Sequence, residues 1–165
     1  MDHLILNKRE TLQKIKRIAF EILESNLHEK EIIIAGIYDK GYMFAELLEK
    51  EFNLISKIKT TLVKVSLDKT SPMQSEITLD LDLKLLKNKT IILTDDVLNT
   101  GRTLAYCLKP FLNIPIKKLQ VAVIVDRQHK LFPIDADYVG YSLSTTLKEH
   151  IEVNFDKAYL GVYLK

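Results

Sequence analysis

Three short apolar runs rich in β-branched residues, at positions 32–37, 90–94 and 119–125, recur along the chain, and stretches of helical periodicity lie between them. Each run is too short for a good helix, and continuous apolar character over so few residues predicts a strand buried on both faces. The acidic start of the chain leads into a segment, 8–27, whose apolar residues Leu12, Ile15, Ile18, Ala19, Ile22 and Leu23 recur at spacings of three and four. That spacing predicts an amphipathic helix. Residues 41–52 repeat it through Phe44, Ala45, Leu47 and Leu48. Residues 60–67 alternate as a strand, 76–81 read as a returning strand, and 101–112 read as a helix with Pro115 beyond its end. Residues 138–141 and 158–164 predict two further short strands. Alternating strands and helices with apolar core strands imply an α/β fold with a mainly parallel central sheet flanked by helices. Ligands gather at the carboxyl ends of the strands in such sheets. Three polar stretches fall there: Tyr38-Asp39-Lys40-Gly41, Asp95-Asp96 and Asp126-Arg127.

Bulk properties narrow the classes. A length of 165 residues fits one domain with one ordinary core. The net charge of +2 gives no general argument for nucleic acid or a membrane surface, so any anion site must be local. The single cysteine, Cys107, excludes an internal disulfide and a cysteine-based zinc site, and it reads as a small core residue. No apolar run approaches the ~20 residues that span a bilayer. The N-terminus has no secretory pattern, so a cytoplasmic location is expected.

The segment from Ile91 to Thr103 carries the chemistry. A buried strand delivers Asp95 and Asp96, and Val97, Leu98 and Asn99 lead to Thr100-Gly101-Arg102-Thr103 at a predicted helix start. Free backbone N–H groups and partial positive charge at a helix start favour a phosphate. Gly101 permits close approach, and the threonine hydroxyls can donate. The Walker lysine and its spacing are absent, which argues against an ATPase. Ionised Asp95 and Asp96 accept hydrogen bonds, as ribose hydroxyls and hydrated Mg²⁺ require. A phosphate cradle beside a diol clamp describes a sugar-phosphate ligand. The plainer reading is an ordinary strand-to-helix turn with Asp96 as its cap.

An apolar strand, two acids, two apolar residues, one variable residue and Thr-Gly-x-Thr resemble the phosphoribosyl pyrophosphate motif of type I phosphoribosyltransferases. The runs 121–130 and 133–140, with Ala35-Gly36-Ile37 and Lys40-Gly41, look like the pyrimidine-operon regulator and uracil phosphoribosyltransferase subfamily. The resemblance covers nearly the whole chain, weakly over 66–88. It implies the type I phosphoribosyltransferase fold over 1–165, with a flexible loop and a small hood drawn from about 127–165 together with a contribution from the N-terminus. By resemblance, Asp95 and Asp96 hold the ribose hydroxyls, and Thr100, Gly101, Arg102 and Thr103 hold the 5′-phosphate. Lys40 and Gly41 match the pyrophosphate loop, which often contains a non-proline cis peptide in this family. Asp126 and Arg127 lie near Mg²⁺ and pyrophosphate, Asp126 and Asp95 being candidate metal ligands. The base falls to Asn99, Val139, Gly140 and Tyr141, with 141–146 part of the hood. The implied partners are phosphoribosyl pyrophosphate, a nucleobase or nucleoside monophosphate, and a second copy in a homodimer or larger assembly.

The sequence also departs from the family. Asn99 stands where enzymes for 6-oxopurines carry an aspartate and where the uracil subfamily commonly has tyrosine. Asparagine cannot serve as a general base, which argues against a hypoxanthine-guanine enzyme. In the flexible loop, 66–80, only Asp68 and Lys69 match. Asp135, Tyr141 and Ser142 stand where the subfamily tends to be basic, and that loss weakens both the uracil and the RNA-regulator assignments. Alternative readings make Lys40 a solvated helix-start residue and Asp126-Arg127 a surface ion pair. The loop could be an inert hairpin, and His129 and His150 read as structural or solvated. The expected function is magnesium-dependent transfer of ribose phosphate to a nucleobase, with uracil favoured by resemblance alone. The alternative is a nucleotide-sensing, RNA-binding regulator; a degenerate homologue without chemistry is a third.

Overall fold

A computed structural model describes residues 2–71, 73 and 75–165; Pro72 and Gln74, in the expected loop 66–80, lie outside the described residues. The chain forms two sheets. β1 (His3–Leu6) pairs antiparallel with β9 (Gly161–Leu164), which pairs with β8 (Ile151–Asn154). The larger sheet has the order β4-β3-β2-β5-β6-β7, from β2 (Glu31–Ile37), β3 (Lys59–Ser66), β4 (Thr78–Leu79), β5 (Thr90–Leu98), β6 (Lys118–Asp126) and β7 (Tyr138–Ser142). All its pairings are parallel except the short return strand β4 on β3. The central strands are apolar over most of their length because both faces are covered. In β2, Ile32 and Ile34 face α1 (Lys8–Ser25) and α2 (Lys40–Ile55). Ile33, Ala35 and Ile37 face the opposite layer with Leu104, Cys107 and Phe111. Strand residues alternate faces with period two, so a two-sided core demands an unbroken apolar run.

Helix α1 starts at a capping box. The Asn7 side chain accepts from the Glu10 N–H at 3.0 Å, and Glu10 accepts from the Asn7 N–H at 2.8 Å. Its buried residues, Thr11, Ile15, Ile18, Ala19 and Ile22, follow the spacing read from the sequence. Leu6, Val153 and Val162 of the small sheet complete the same core cluster.

Three expectations change. The acidic start of the chain does not run straight into a helix: β1 precedes α1, and its pairing partner lies at the far end of the chain. The strand expected over 90–94 continues to Leu98, because Asp95, Val97 and Leu98 still pair with Val123, Val125 and Asp126 of β6. The helix expected over 101–112 is two pieces, α3 (Arg102–Cys107) and α4 (Lys109–Leu112), parted at Leu108. Pro110 lacks an N–H and crowds the preceding turn, which prevents one continuous ladder.

Gly36 sets how closely α2 approaches β2. A Cβ there would stand 2.5 Å from the Tyr42 Cα and 2.8 Å from the Gly41 carbonyl oxygen, both backbone atoms. Gly36→Ala is expected to destabilise the fold by about 1–3 kcal/mol, the usual range for overpacking. The check is a lower denaturation midpoint at unchanged m-value.

Candidate active site at the ends of β2, β5 and β6

The carboxyl ends of β2 and β5 meet at Gly41. Its carbonyl accepts from the Thr94 hydroxyl at 2.8 Å. A Cβ at Gly41 would lie 2.6 Å from the Thr94 carbonyl oxygen and 3.1 Å from the Asp95 carboxylate. The turn 38–41 therefore closes directly on the acidic end of β5, and only glycine fits between them. The Tyr38–Asp39 peptide in this turn is cis, as the resemblance implied.

Asp95 is 4% exposed and its carboxylate has few partners. It accepts from the Asp96 N–H at 3.0 Å, and the Lys69 ammonium lies 3.5 Å away. Burial first, and the neighbouring Asp96 carboxylate second, push the Asp95 carboxyl up to about 8, against a smaller downward pull from Lys69. Without a ligand, burial thus favours the neutral form of Asp95 over the ionised one. Asp96 is half-buried beside it.

Beyond the acids the backbone turns. Asp95, Val97, Leu98, Asn99, Thr100, Gly101, Arg102, Thr103 and Leu104 line one open cleft of about 240 Å³. Gly101 takes a left-handed conformation, φ 86°, that favours glycine, and begins α3 without a side-chain cap. Asp96 is therefore no helix cap. The structure thus brings the whole predicted phosphate loop together with Asp95.

The remaining candidates are placed differently. Lys40 begins α2, and its ammonium lies 3.6 Å from Glu152 of β8. Lys165 shares the same carboxylate. Asp126 accepts from the Gln128 N–H at 2.9 Å and lies 3.6 Å from the Lys130 ammonium. Arg127 is 5% exposed and, among the described residues, has no ion-pair partner; its guanidinium donates to Asn99, Thr145, Thr146 and Glu149. Val139, Gly140 and Tyr141 lie in the edge strand β7 and do not line the cleft. The carbonyls of Val139 and Gly140 accept from Arg17 of α1 at 3.2 and 2.6 Å. His129 bonds the Thr145 carbonyl at 2.7 Å, a structural contact.

Sequence reasoning gave Lys69 no place at the site, although it noted the residue as a partial match in the flexible loop. Its contact with Asp95 arises because that loop leaves the end of β3, two strands from β5 in the sheet order. Strand order is a tertiary property that no local pattern states.

A family model described as a phosphoribosyl transferase domain matches residues 4–158. The chain is 31% identical to the Bifunctional protein PyrR of Haemophilus ducreyi, over 98% of this chain and 94% of that protein. It is 34% identical to the Bifunctional protein PyrR of Clostridium novyi, over 91% and 88% respectively. In fold it resembles a hypoxanthine-guanine phosphoribosyltransferase from Bacillus anthracis, with a TM-score of 0.79 at 19% identity, over 98% of this chain and 95% of that one. Likeness at that identity shows a shared fold and says nothing of the base.

The Asp95 shift fixes a pH dependence. The folded carboxyl holds its proton up to about 8, whereas an unfolded one releases it near 3.8. Folding takes up a proton between those values, so this group lowers stability as pH rises through that window and adds no further loss above it. Asp95→Asn removes the effect. At pH 8.5, without divalent cations or phosphate, the variant should melt several degrees above the parent. Below pH 4 the two should coincide. Melting profiles across pH check this; parallel profiles would assign the effect to another group.

Proposed function

The chain belongs to the phosphoribosyl transferase domain family, and from that premise we propose that it transfers the ribose phosphate of phosphoribosyl pyrophosphate to a nucleobase, a pyrimidine such as uracil, and releases pyrophosphate. One observation carries the reading: Asp95 and the loop from Val97 to Leu104 line a single cleft, and the turn at Gly41 closes on that acid. The assignments by residue follow from it. Asp95 and Asp96 take the ribose hydroxyls, a protonated Asp95 being able to donate as well as accept. The backbone and hydroxyls of Thr100, Gly101, Arg102 and Thr103 take the 5′-phosphate. Lys40 and Gly41 take the pyrophosphate, for which Lys40 must exchange its Glu152 partner.

The reaction breaks the bond from ribose C1 to a pyrophosphate oxygen, and the electron pair leaves with that oxygen. A base nitrogen then supplies the pair that forms the new bond to the oxocarbenium-like carbon, and its N–H proton passes to water or to the departing pyrophosphate. The residues described have two tasks: holding the sugar so that C1 faces the base, and stabilising charge on the departing oxygens. No covalent nucleophile is required.

The site also fits Mg²⁺. A buried carboxyl kept protonated beside a second acid is short of positive charge, and hard oxygen donors suit this ion. Among the described residues no three His, Cys, Asp or Glu side chains form a cage, so Mg²⁺ would complete its shell from substrate oxygens and water. Asp95 is the first candidate to hold it. Asp126, partnered by the Gln128 N–H and Lys130, is the second. When bound, Mg²⁺ supplies charge neutralisation of the polyphosphate.

The curated relatives carry the name "bifunctional", which favours a second reading, a nucleotide-sensing regulator that binds RNA. Against it, Lys130 is engaged by Asp135 at 2.5 Å and by Asp126, which removes free positive charge from that surface. Salt-dependent RNA binding modulated by a nucleotide would support it. The intact acids and Thr-Gly-Arg-Thr loop argue against a degenerate homologue. No helix among the described residues is long and apolar enough to cross a membrane. A homodimer or larger assembly remains the proposal by analogy.

The direct assay mixes the protein with phosphoribosyl pyrophosphate, Mg²⁺ and a panel of bases. Pyrophosphate release with a pyrimidine is expected, and Asp95→Asn combined with Asp96→Asn should lower kcat/KM by about a hundredfold or more. Absence of release with every base, together with no calorimetric binding of the activated sugar, overturns the assignment.

A further inference from the structure

Arg127 is a buried cation with no carboxylate at ion-pair distance among the described residues. Its acceptors are all neutral. Nε donates to the Thr145 hydroxyl at 2.6 Å, and one arm donates to the Asn99 side-chain oxygen at 2.9 Å. The other arm donates to the carbonyls of Thr146 at 2.9 Å and Glu149 at 2.5 Å. These bonds join two parts of the site. Asn99 belongs to the phosphate loop. Thr145, Thr146 and Glu149 belong to the strap, 143–149, which runs from β7 to β8.

The segment around Arg127 is bonded to both sides as well. The Arg127 N–H donates to the Leu98 carbonyl at 2.9 Å, and the Leu131 and Phe132 N–H groups donate to the Thr100 carbonyl. Towards the strap, the Leu143 N–H donates to the Asp126 carbonyl at 3.0 Å, and Ser144 donates to Gln128 at 2.7 Å. Among the described residues, the Arg127 side chain bonds to both parts. A second cleft of about 750 Å³ opens between them, lined by Asn99, Thr100, Arg127 and, on the strap, Leu147.

We propose that Arg127 is a positioning residue, which ties the strap and the β8 strand behind it to the phosphate loop through Asn99. The proposal rests on the phosphoribosyl-transfer reading and deepens it. Four of the five guanidinium N–H groups are engaged by the protein, which holds the side chain between the loop and the strap. Asn99 suits this task. A carboxylate there would pair with the guanidinium directly, whereas the amide oxygen accepts the bond and adds no further negative charge to that of Glu149, whose carboxyl is lowered first by hydrogen bonding to Thr146 and in smaller part by Arg127. The strap walls the second cleft next to the phosphate loop, so its placement governs the acceptor base more than the activated sugar.

Two variants test this. Arg127→Lys keeps the charge and loses the fork; Asn99→Ala removes one acceptor and leaves Arg127 in place. Three quantities are read in each: hydrogen exchange of the 143–149 amides, calorimetric affinity for phosphoribosyl pyrophosphate with Mg²⁺, and KM for the base. Loss of hydrogen bonds to a charged group should speed strap exchange by about tenfold or more in Arg127→Lys, with a smaller change in Asn99→Ala. The base KM should rise by about tenfold while affinity for the activated sugar stays within about threefold. Unchanged exchange in the strap of both variants overturns the proposal. So does a sugar affinity about tenfold weaker in Arg127→Lys with the strap still protected, since a ligand contact behaves that way. Should Arg127→Lys fail to fold, Asn99→Ala decides alone. If the parent binds no activated sugar, the transfer reading fails, and the exchange measurement still decides whether Arg127 ties the strap.

Discussion

The Asp95 carboxyl sits where β2 and β5 release their loops, and burial there makes its charged form costly. Everything at the site answers to that cost. Gly41 can close on it only because glycine brings no Cβ. Lys69 reaches across from the end of β3 to supply part of the missing charge. A polyanion arriving with a divalent cation would find a carboxyl waiting for a positive partner and a cleft already shaped by the strand end. The fold tolerates an unfavourable acid because its apolar strands and the two layers that cover them hold the β5 end in place.

Charges around the site are shared between elements. Lys40 is engaged by Glu152 of the small sheet, Lys130 by Asp126 and Asp135, and the Arg127 guanidinium by uncharged oxygens. The first two pairs are partly exposed and each contributes little stability. Their effect is to direct side chains: they decide which cations are free to meet a ligand. Arg127 differs in kind, since it is buried, holds its charge against neutral acceptors and joins the phosphate loop to the strap.

Much of the architecture was legible before the structure. β2, β5 and β6 announce themselves because burial on both faces favours apolar residues at successive positions. α1 announces itself because one face is covered and the other is wet. The phosphate loop was legible for another reason: acids, glycine and threonines are needed within a few consecutive residues, so the chemistry is local in sequence. The strand end at Asp95 was harder to read, because carboxylates interrupt the apolar run while their backbone goes on pairing with β6. β1 was missed because four residues whose only partner lies at the other end of the chain carry too weak a pattern.

Sequence alone determined the fold class, the parallel core strands and the loop proposed to face a sugar phosphate, since periodicity and short-range chemistry are written residue by residue. Tertiary structure decided what each charged group is for. It raises the Asp95 carboxyl by burying it, brings Lys69 to it, turns Arg127 inward to the strap and leaves Val139, Gly140 and Tyr141 in an edge strand under Arg17. Those outcomes depend on which elements become neighbours. Desolvation and hydrogen-bond partnership belong to the packed chain and have no value until it has folded.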